Sequence, residues 1–463
     1  MLSEVVALGV PVLGAALSEP LLTLVDTWCL GQTCTTLTLA ALSVNCGLFN
    51  FLSNSGAFLV TATTNCMASA LAGGGGDAPS SSGKRAAGVL LGNALVLALS
   101  LGVATAAVLL LAPGWVLSLF GAAPGSELAS QARVYLAIRA LSAPSLFLMF
   151  VGVGASLGAG TAFAPAISIG LAAMLNMAGD TALVLLLRTG LAGAAAATAA
   201  ASWLGTATVL HVVRTKVVAP VFQWPTWAAI APLLRVSVAL LITQVVSSVV
   251  YSYTTAFAAA SGTVPAAAHQ IILQIWWLLS YAPVPLYLAA QSLLGRSLAA
   301  GDTARAEGAI AVLCGLGAAL AAALTALTWL ACTQATTAFS SDPAVAAAIL
   351  AAMPAACVAQ ALATGVTTAE GILAGAGRLK YVATVAVVSA PAGILAMRLL
   401  LSGGAAGGLV GGGSPLACVW WGLVIGEALR LGAHVITWQR FMADVRSGKA
   451  RGAVPPTTDS ATA

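Results

Sequence analysis

Two carboxylates stand in otherwise apolar sequence, in Leu24-Val25-Asp26-Thr27 and in Leu175-Asn176-Met177-Ala178-Gly179-Asp180-Thr181. An ionised carboxylate in hydrocarbon is costly, so such a group pairs, faces water or holds a proton, and each outcome makes it a candidate cation or proton site. Asn176 and Asp180 are four residues apart and share one helix face, which sets an amide oxygen beside a carboxylate. Thr198 can add a hydroxyl. These are hard oxygen donors suited to Na+ or, with two carboxylates competing for charge, to a shared proton. Pro11 and Pro20 lie upstream of Asp26 and are expected to bend that segment. Glu19 lies two turns before Asp26 and either lines the same cavity or is solvated. His269, Gln270, Gln274 and Gln291 share a stretch with Trp276, Trp277, Tyr281 and Tyr287, and Tyr253 ends the stretch before it. Amides and aromatics so mixed form either the wall of a substrate cavity or an interfacial aromatic belt with interhelical amide bonds.

The elements that must position these groups follow from composition. The chain has 463 residues, 60% apolar and only 7% charged, whereas a soluble domain carries roughly 25% charged residues. About 20 apolar residues cross a bilayer as a helix. Spans are expected at 5–30, 38–66, 86–112, 131–157, 163–187, 191–213, 229–258, 267–295, 305–332, 345–370, 379–401 and 416–440. The fold class is therefore all-α integral membrane. Continuous rather than alternating apolar runs exclude a β-barrel. The net charge of +5 is scattered at stretch ends, so no nucleic-acid partner is expected. Lys84, Arg85, Arg214, Lys216, Arg235, Arg296, Arg305, Arg378, Lys380, Arg440, Arg446, Lys449 and Arg451 share the face of the N-terminus, opposite Arg133, Arg188 and Arg398, which puts both termini in the cytosol. Arg139 and Arg430 fall inside spans and should snorkel or find partners. Glu427 and Arg430 are three apart and can pair on one helix; His211 and His434 read as structural.

Other patterns carry less. The eight cysteines show no CxxC and read as small buried hydrophobes. Gly154-Ala155-Ser156-Leu157-Gly158 matches a nucleophile elbow but lies in an apolar run, where small-residue packing explains it better. Gly76 to Arg85 lacks the spacing and the Ser/Thr of a phosphate loop, so no ATP is implied. No metal-ligand spacing is present beyond the candidate Na+ donors Asp26, Asn176, Asp180 and Thr198, and no cofactor or enzymatic activity is expected. A remote alternative is an intramembrane serine hydrolase using Ser156 with His211 or His269.

The chain also aligns with itself. Leu39 to Ala72 parallels Ala266 to Ala299, Gly121-Ala122-Ala123-Pro124 answers Ser340-Ser341-Asp342-Pro343, and Leu157-Gly158-Ala159-Gly160 answers Ala374-Gly375-Ala376-Gly377. Residues 1–215 and 229–445 thus form two six-helix bundles joined by a cytosolic linker at 216–228, with a disordered cytosolic tail at 446–463. Six spans return the chain to the same side, so the bundles should be related by a pseudo-two-fold axis along the membrane normal, as in secondary transporters. Under this alignment Asp26 faces Tyr253, and Asn176 and Asp180 face Gly393 and Met397. Ion chemistry is therefore expected in the N-terminal half alone.

Pro11, Glu19-Pro20, Leu24-Val25-Asp26-Thr27, Gly31, Leu175-Asn176 with Asp180, Gly190 to Gly193, Ala267-Ala268-His269-Gln270-Ile271, Gln291 and Gly301-Asp302 together resemble the multidrug and toxic compound extrusion (MATE) family, in its DinF-like branch of bacteria and plants. The resemblance implies two six-helix bundles in a V and antiport of an organic solute or xenobiotic against H+ or Na+. It implies a cation site at Asp26, Asn176, Asp180 and Thr198, with Pro11 as the proline about which the first helix bends. Trp28-Cys29-Leu30 and Gln32 depart from the family pattern, as does the Gly/Ser insertion at 73–85. The same superfamily supplies the alternative of a flippase for a lipid-linked solute. Expected partners are a small organic solute and membrane lipid, with the chain acting as a monomer. The resemblance implies, from some plant relatives of this branch, small organic anions such as citrate or phenolic acids as solutes, and the plasma membrane or a plastid envelope as the membrane.

Overall fold

A computed structural model describes residues 23–72, 81–161, 163–222, 245, 248–299, 302–402 and 414–446. Pro11, Glu19, the Gly/Ser loop through 80, the 229–244 part of the seventh expected span, the glycine run 403–413 and the tail beyond 446 lie outside it. The described chain is all-helical: α1 (residues 23–33), α2 (Thr36–Gly56), α3 (Phe58–Ala72), α4 (Ser81–Leu111), α5 (Pro113–Leu119), α6 (Glu127–Ala140), α7 (Ala143–Gly158), α8 (Phe163–Asp180), α9 (Gly190–Val212), α10 (residues 248–260), α11 (Thr263–Ser280), α12 (Val284–Ala299), α13 (Thr303–Ala338), α14 (Pro343–Gly375), α15 (Leu379–Leu401) and α16 (Pro415–Arg446). Nine helices or continuous helix pairs among the described residues are long and apolar enough to cross a membrane, and α6 with α7 makes a tenth, bent by 47°. This is a multi-pass integral membrane protein.

Local chemistry sets the helix ends. Ser126 Oγ accepts from Ala129 N at 3.1 Å and starts α6, with Glu127 favourably placed in its first turn. Pro113 and Pro415 open α5 and α16, where a missing N–H costs nothing. Asp302 caps α13, its Oδ1 accepting from Arg305 N at 2.9 Å. Three expected spans are interrupted: 38–66 at Ala57, 131–157 at Leu141-Ser142 and 267–295 around Pro283.

Packing divides the described chain into two units. One holds Leu21–Ile271 with Thr337–Val345, and the other holds Ile272–Thr336 with the chain from Ala346 onward. The division falls within α11. In the first unit Phe58, Leu59, Met67, Leu91, Phe147 and Val151 form a core between α3, α4 and α7. A Cβ on Gly154 would sit 2.6 Å from Val60 O, and one on Gly158 would sit 2.6 Å from Thr64 O. The Gly-x-Ser-x-Gly run is thus the seam on which α7 meets α3, and Ser156 Oγ donates to Thr161 O at 2.7 Å. The second unit has its own core of Leu286, Leu293, Leu294, Ile310, Leu313 and Ile372. The outer faces are apolar: Met174, Leu186 and Val388 are 66, 76 and 68% exposed, a surface suited to lipid and not to water.

Within the first unit the α13–α14 corner clasps the α1–α2 corner. Gly31 lies so close to Phe339 O that any side chain would collide. Gln32 Nε2 donates to Ala338 O, and Thr36 Oγ1 donates to Asp342 Oδ2 at 2.5 Å. Asp342 Oδ1 also caps α14 by accepting from Ala344 N at 2.9 Å. The Thr36 hydroxyl first, and then the Ala344 amide, hold the Asp342 carboxyl below its usual value of 3.8. With the folded-state value depressed, the clasp contributes above the unfolded carboxylate pKa and is lost as pH falls through the folded one. Thr36→Val should therefore raise the Asp342 titration midpoint, followed by carboxyl 13C shifts; an unchanged midpoint would contradict the Thr36 bond.

Candidate cation site

Asp26 on α1, Asn176 on α8 and Asp180 at the end of α8 come together in the first unit, all of them buried. Asn176 Nδ2 donates to Asp26 Oδ1 at 2.9 Å and to Asp180 Oδ2 at 2.7 Å. A single amide therefore holds two carboxylates far apart in sequence. The two carboxyl groups thus share one amide, bonded to it at 2.9 and 2.7 Å. Asp180 Oδ1 has no hydrogen-bond partner among the described residues.

Small residues bring the fourth expected member in. A Cβ on Gly179 would lie 2.7 Å from Ala197 Cβ, so α8 and α9 approach closely and Thr198 falls beside the pair. Thr198 Oγ1 gives its proton to Ala194 O at 2.8 Å, which leaves its lone pairs to accept. Both Asp26 and Tyr135 lie within side-chain reach of it. Directly after Asp180 the helix widens into a π-helical stretch, Thr181–Leu186, a distortion frequent at functional positions.

Tyr135 and Arg139 were not among the expected site residues. Arg139 finds partners and does not snorkel: Nη1 donates to Ser142 Oγ at 3.0 Å and to Ser202 Oγ at 3.2 Å, and the guanidinium lies 4.7 Å over the Phe49 ring. Its charge acts on Asp26. Two carboxylates and one guanidinium leave one negative charge, which one proton or one monovalent cation neutralises. The sequence signal for the pair is their spacing, four apart on one helix within an apolar run.

The expected substrate wall is distributed. Gln270 Nε2 donates to Thr27 Oγ1 at 3.2 Å and contacts Cys46 Sγ at 3.3 Å, next in sequence to Asp26. His269 is buried with Nε2 3.4 Å from Thr255 Oγ1. Tyr253 is 37% exposed and leans on Phe257. Gln274, buried, and Gln291 belong to the other unit. There the positions aligned with Asn176 and Asp180 are a close helix seam: Gly393 abuts Gly426, and a Cβ on Gly422 would strike Met397.

The sequence model of the MatE family matches residues 11–181 and 239–397. The chain belongs to the MatE family. It is 29% identical over 337 residues to Protein DETOXIFICATION 44, chloroplastic, of Arabidopsis thaliana, covering 69% of this chain and 62% of that one. With Protein DETOXIFICATION 47, chloroplastic, of the same plant it is 28% identical over 306 residues, covering 64 and 53%. The MatE chain thus spans less than two thirds of the length of these curated relatives. Among solved structures, an inward-facing multidrug resistance MATE family transporter of the MOP superfamily superposes with a TM-score of 0.81 at 18% identity, over 94% of this chain and 96% of that one. An outward-facing structure so described gives 0.66 at 18%, over 96% of each. At that identity the likeness carries the fold alone. Asp26, Asn176 and Asp180 fall in the first MatE segment, and a further, partly buried acid, Glu370, falls in the second.

Proposed function

We propose that this MATE family chain is a secondary antiporter that exports an organic solute in exchange for H+ by alternating access, with no ATP. The carrying observation is the buried Asp26–Asn176–Asp180 bridge, which is one charge short of neutrality beside Arg139 and has a bare oxygen on Asp180. Outward-facing protein loads a proton at the Asp26–Asp180 pair, which favours release of solute. Inward-facing protein discharges the proton and takes up solute from the cytosol. The proton can act only through its different affinity for the two states. H+ is favoured over Na+ because Asn176 turns its Nδ2 to both carboxylates, offering donors where Na+ needs oxygens; the hydrogen-bond network sets that orientation. Thr198 supports the pair, and Pro11 upstream of Asp26 is the hinge. Gln270, beside Thr27, carries the cavity wall closest to the site. Two six-helix halves, a monomeric state and cytosolic termini complete the reading, and the chloroplastic names of the two relatives support a plastid envelope.

The test is flux from proteoliposomes of the wild-type chain, with ethidium as the organic cation and citrate as the organic anion. An imposed pH gradient should drive one of them and a Na+ gradient neither. Drive by Na+ alone would replace H+ as the coupling ion. Indifference to both gradients would remove antiport.

A further inference from the structure

One end of the first unit gathers four cations from two distant stretches of chain. Lys84 and Arg85 stand near the start of α4, where the apolar span Ser82–Leu111 begins. Arg214 and Lys216 stand in the π-helical stretch Val213–Val217, which closes the span Gly190–Val217. The core decides which side chains face out. Ala87, Leu91 and Val213 are buried in the core between α3, α4 and α7, with Val217 and Val218 packed against it. Lys84, Arg85, Arg214 and Lys216 are left exposed. Beyond Val217 the chain leaves the helix, and Val218 is extended. It then runs as a strap over α4: Val221 N donates to Gly88 O at 2.8 Å, and a Cβ on Gly88 would sit 2.8 Å from Ala219 O. A Cβ on Gly92 would collide with Val221 O, so this face of α4 needs glycine for the strap to lie on it. The strap thereby brings the two basic pairs to the same end of the unit.

No acidic residue belongs to α3, α4, α7 or α9, so these elements supply no counter-charge to the four cations. The strap adds a second property. Val221 is 37% exposed and Phe222 66%. Cations at the ends of two spans, beside exposed apolar side chains, match a boundary with phosphate on one side and acyl chains on the other. A group of about four to eight Lys and Arg just outside a span attracts anionic lipid, and long basic side chains reach headgroups from helix ends. A soluble anion would satisfy the charges but give Val221 and Phe222 nothing to cover them.

We propose that Lys84, Arg85, Arg214 and Lys216, with Val221 and Phe222, form a docking surface for an anionic membrane lipid. The four cations hold the headgroup phosphate, the two arginines with planar forks and the two lysines as point charges, and an acyl chain lies against the strap. The surface stands independently of the Asp26–Asp180 reading, because its test measures lipid binding and not transport.

The full chain in detergent is titrated with dioleoyl phosphatidylglycerol or dioleoyl phosphatidylcholine, and native mass spectrometry counts the bound lipids. Phosphatidylglycerol should bind at least about tenfold more tightly, since each cation near an anionic headgroup contributes roughly fivefold. The variant Lys84→Gln/Arg85→Gln/Arg214→Gln/Lys216→Gln should lose that preference. Arg133→Gln/Arg188→Gln/Arg398→Gln, which removes three charges outside the surface, should keep it. Equal affinity for the two lipids in the wild type, or equal losses in the two variants, overturns the proposal. Should the fourfold variant fail to fold, Lys84→Gln/Arg85→Gln and Arg214→Gln/Lys216→Gln decide separately. Each should cut the preference at least about threefold, and an unchanged preference in either overturns it. Glycerol 1-phosphate carries the charge without the acyl chains. It should leave the bound lipid in place at equal concentration, and displacement would assign the surface to a soluble phosphate compound instead.

Discussion

Asp180→Asn and Asp26→Asn should each abolish gradient-driven flux while leaving expression and folding intact. Asparagine keeps the shape of aspartate, and its oxygen can still accept from Asn176 Nδ2, so the bridge between α1 and α8 survives. At Asp180 the new amide also stands in for the unpartnered Oδ1. What disappears is the group that takes and gives up the ion. Coupling between two ligands is commonly worth about 5- to 150-fold in affinity, so the accelerated part of the flux should drop by that order, down to the passive rate. Retained gradient-driven flux in both variants would remove the pair from the mechanism.

Arg430→Leu should destabilise the second unit by about 3 kcal/mol, because removing one partner of a mostly buried ion pair leaves the other uncompensated. Its side chain is 22% exposed and that of Glu370 15%, which keeps the cost toward the low end. Adding Glu370→Leu should recover part of the loss, since Glu370 is no longer left unpaired while Glu427, 4.0 Å from Arg430 Nη1, still loses its partner. Thermal unfolding in detergent of the two single variants and the double variant checks this. Equal losses in Arg430→Leu and the double variant would show that the pair carries no coupling.

How much of this was legible in the sequence depends on where each partner lies. Asp26 and Asp180 stood out because a carboxylate in an apolar run is expensive, and Asn176 followed from helix periodicity. Thr198 is in the sequence only a nearby hydroxyl, and the Gly179–Ala197 contact brings its helix against α8. Arg139 was recognised as needing a partner, but Ser202 and Phe49 come from other helices, and no local pattern names them. The internal repeat was informative at the positions it compared: Gly393 and Met397 are packing residues. It was silent on unaligned ones such as Glu370, which pairs with Arg430. Glu427 and Arg430 pair at i,i+3 as their spacing suggests, but Arg430 makes its shorter bond across helices to Glu370, which His434 meets from 64 residues away. Helix existence was set by hydropathy, whereas breaks at Ala57 and Leu141-Ser142 depend on tertiary packing. At the second of these, a Cβ on Gly102 would lie 2.4 Å from Pro144 Cα, which puts α4 hard against the bend.

The central claim, that the Asp26–Asp180 pair exchanges a proton for a solute, is tested most directly in the reverse direction. Proteoliposomes with a trapped pH dye and no initial pH gradient receive an outward gradient of whichever of ethidium or citrate the wild type carries. Linkage is reciprocal, so solute leaving must draw protons in. The wild-type lumen should acidify as solute leaves, and vesicles with Asp180→Asn should lose solute without that change. Solute movement at constant lumenal pH in the wild type, or equal acidification in the variant, would contradict the account.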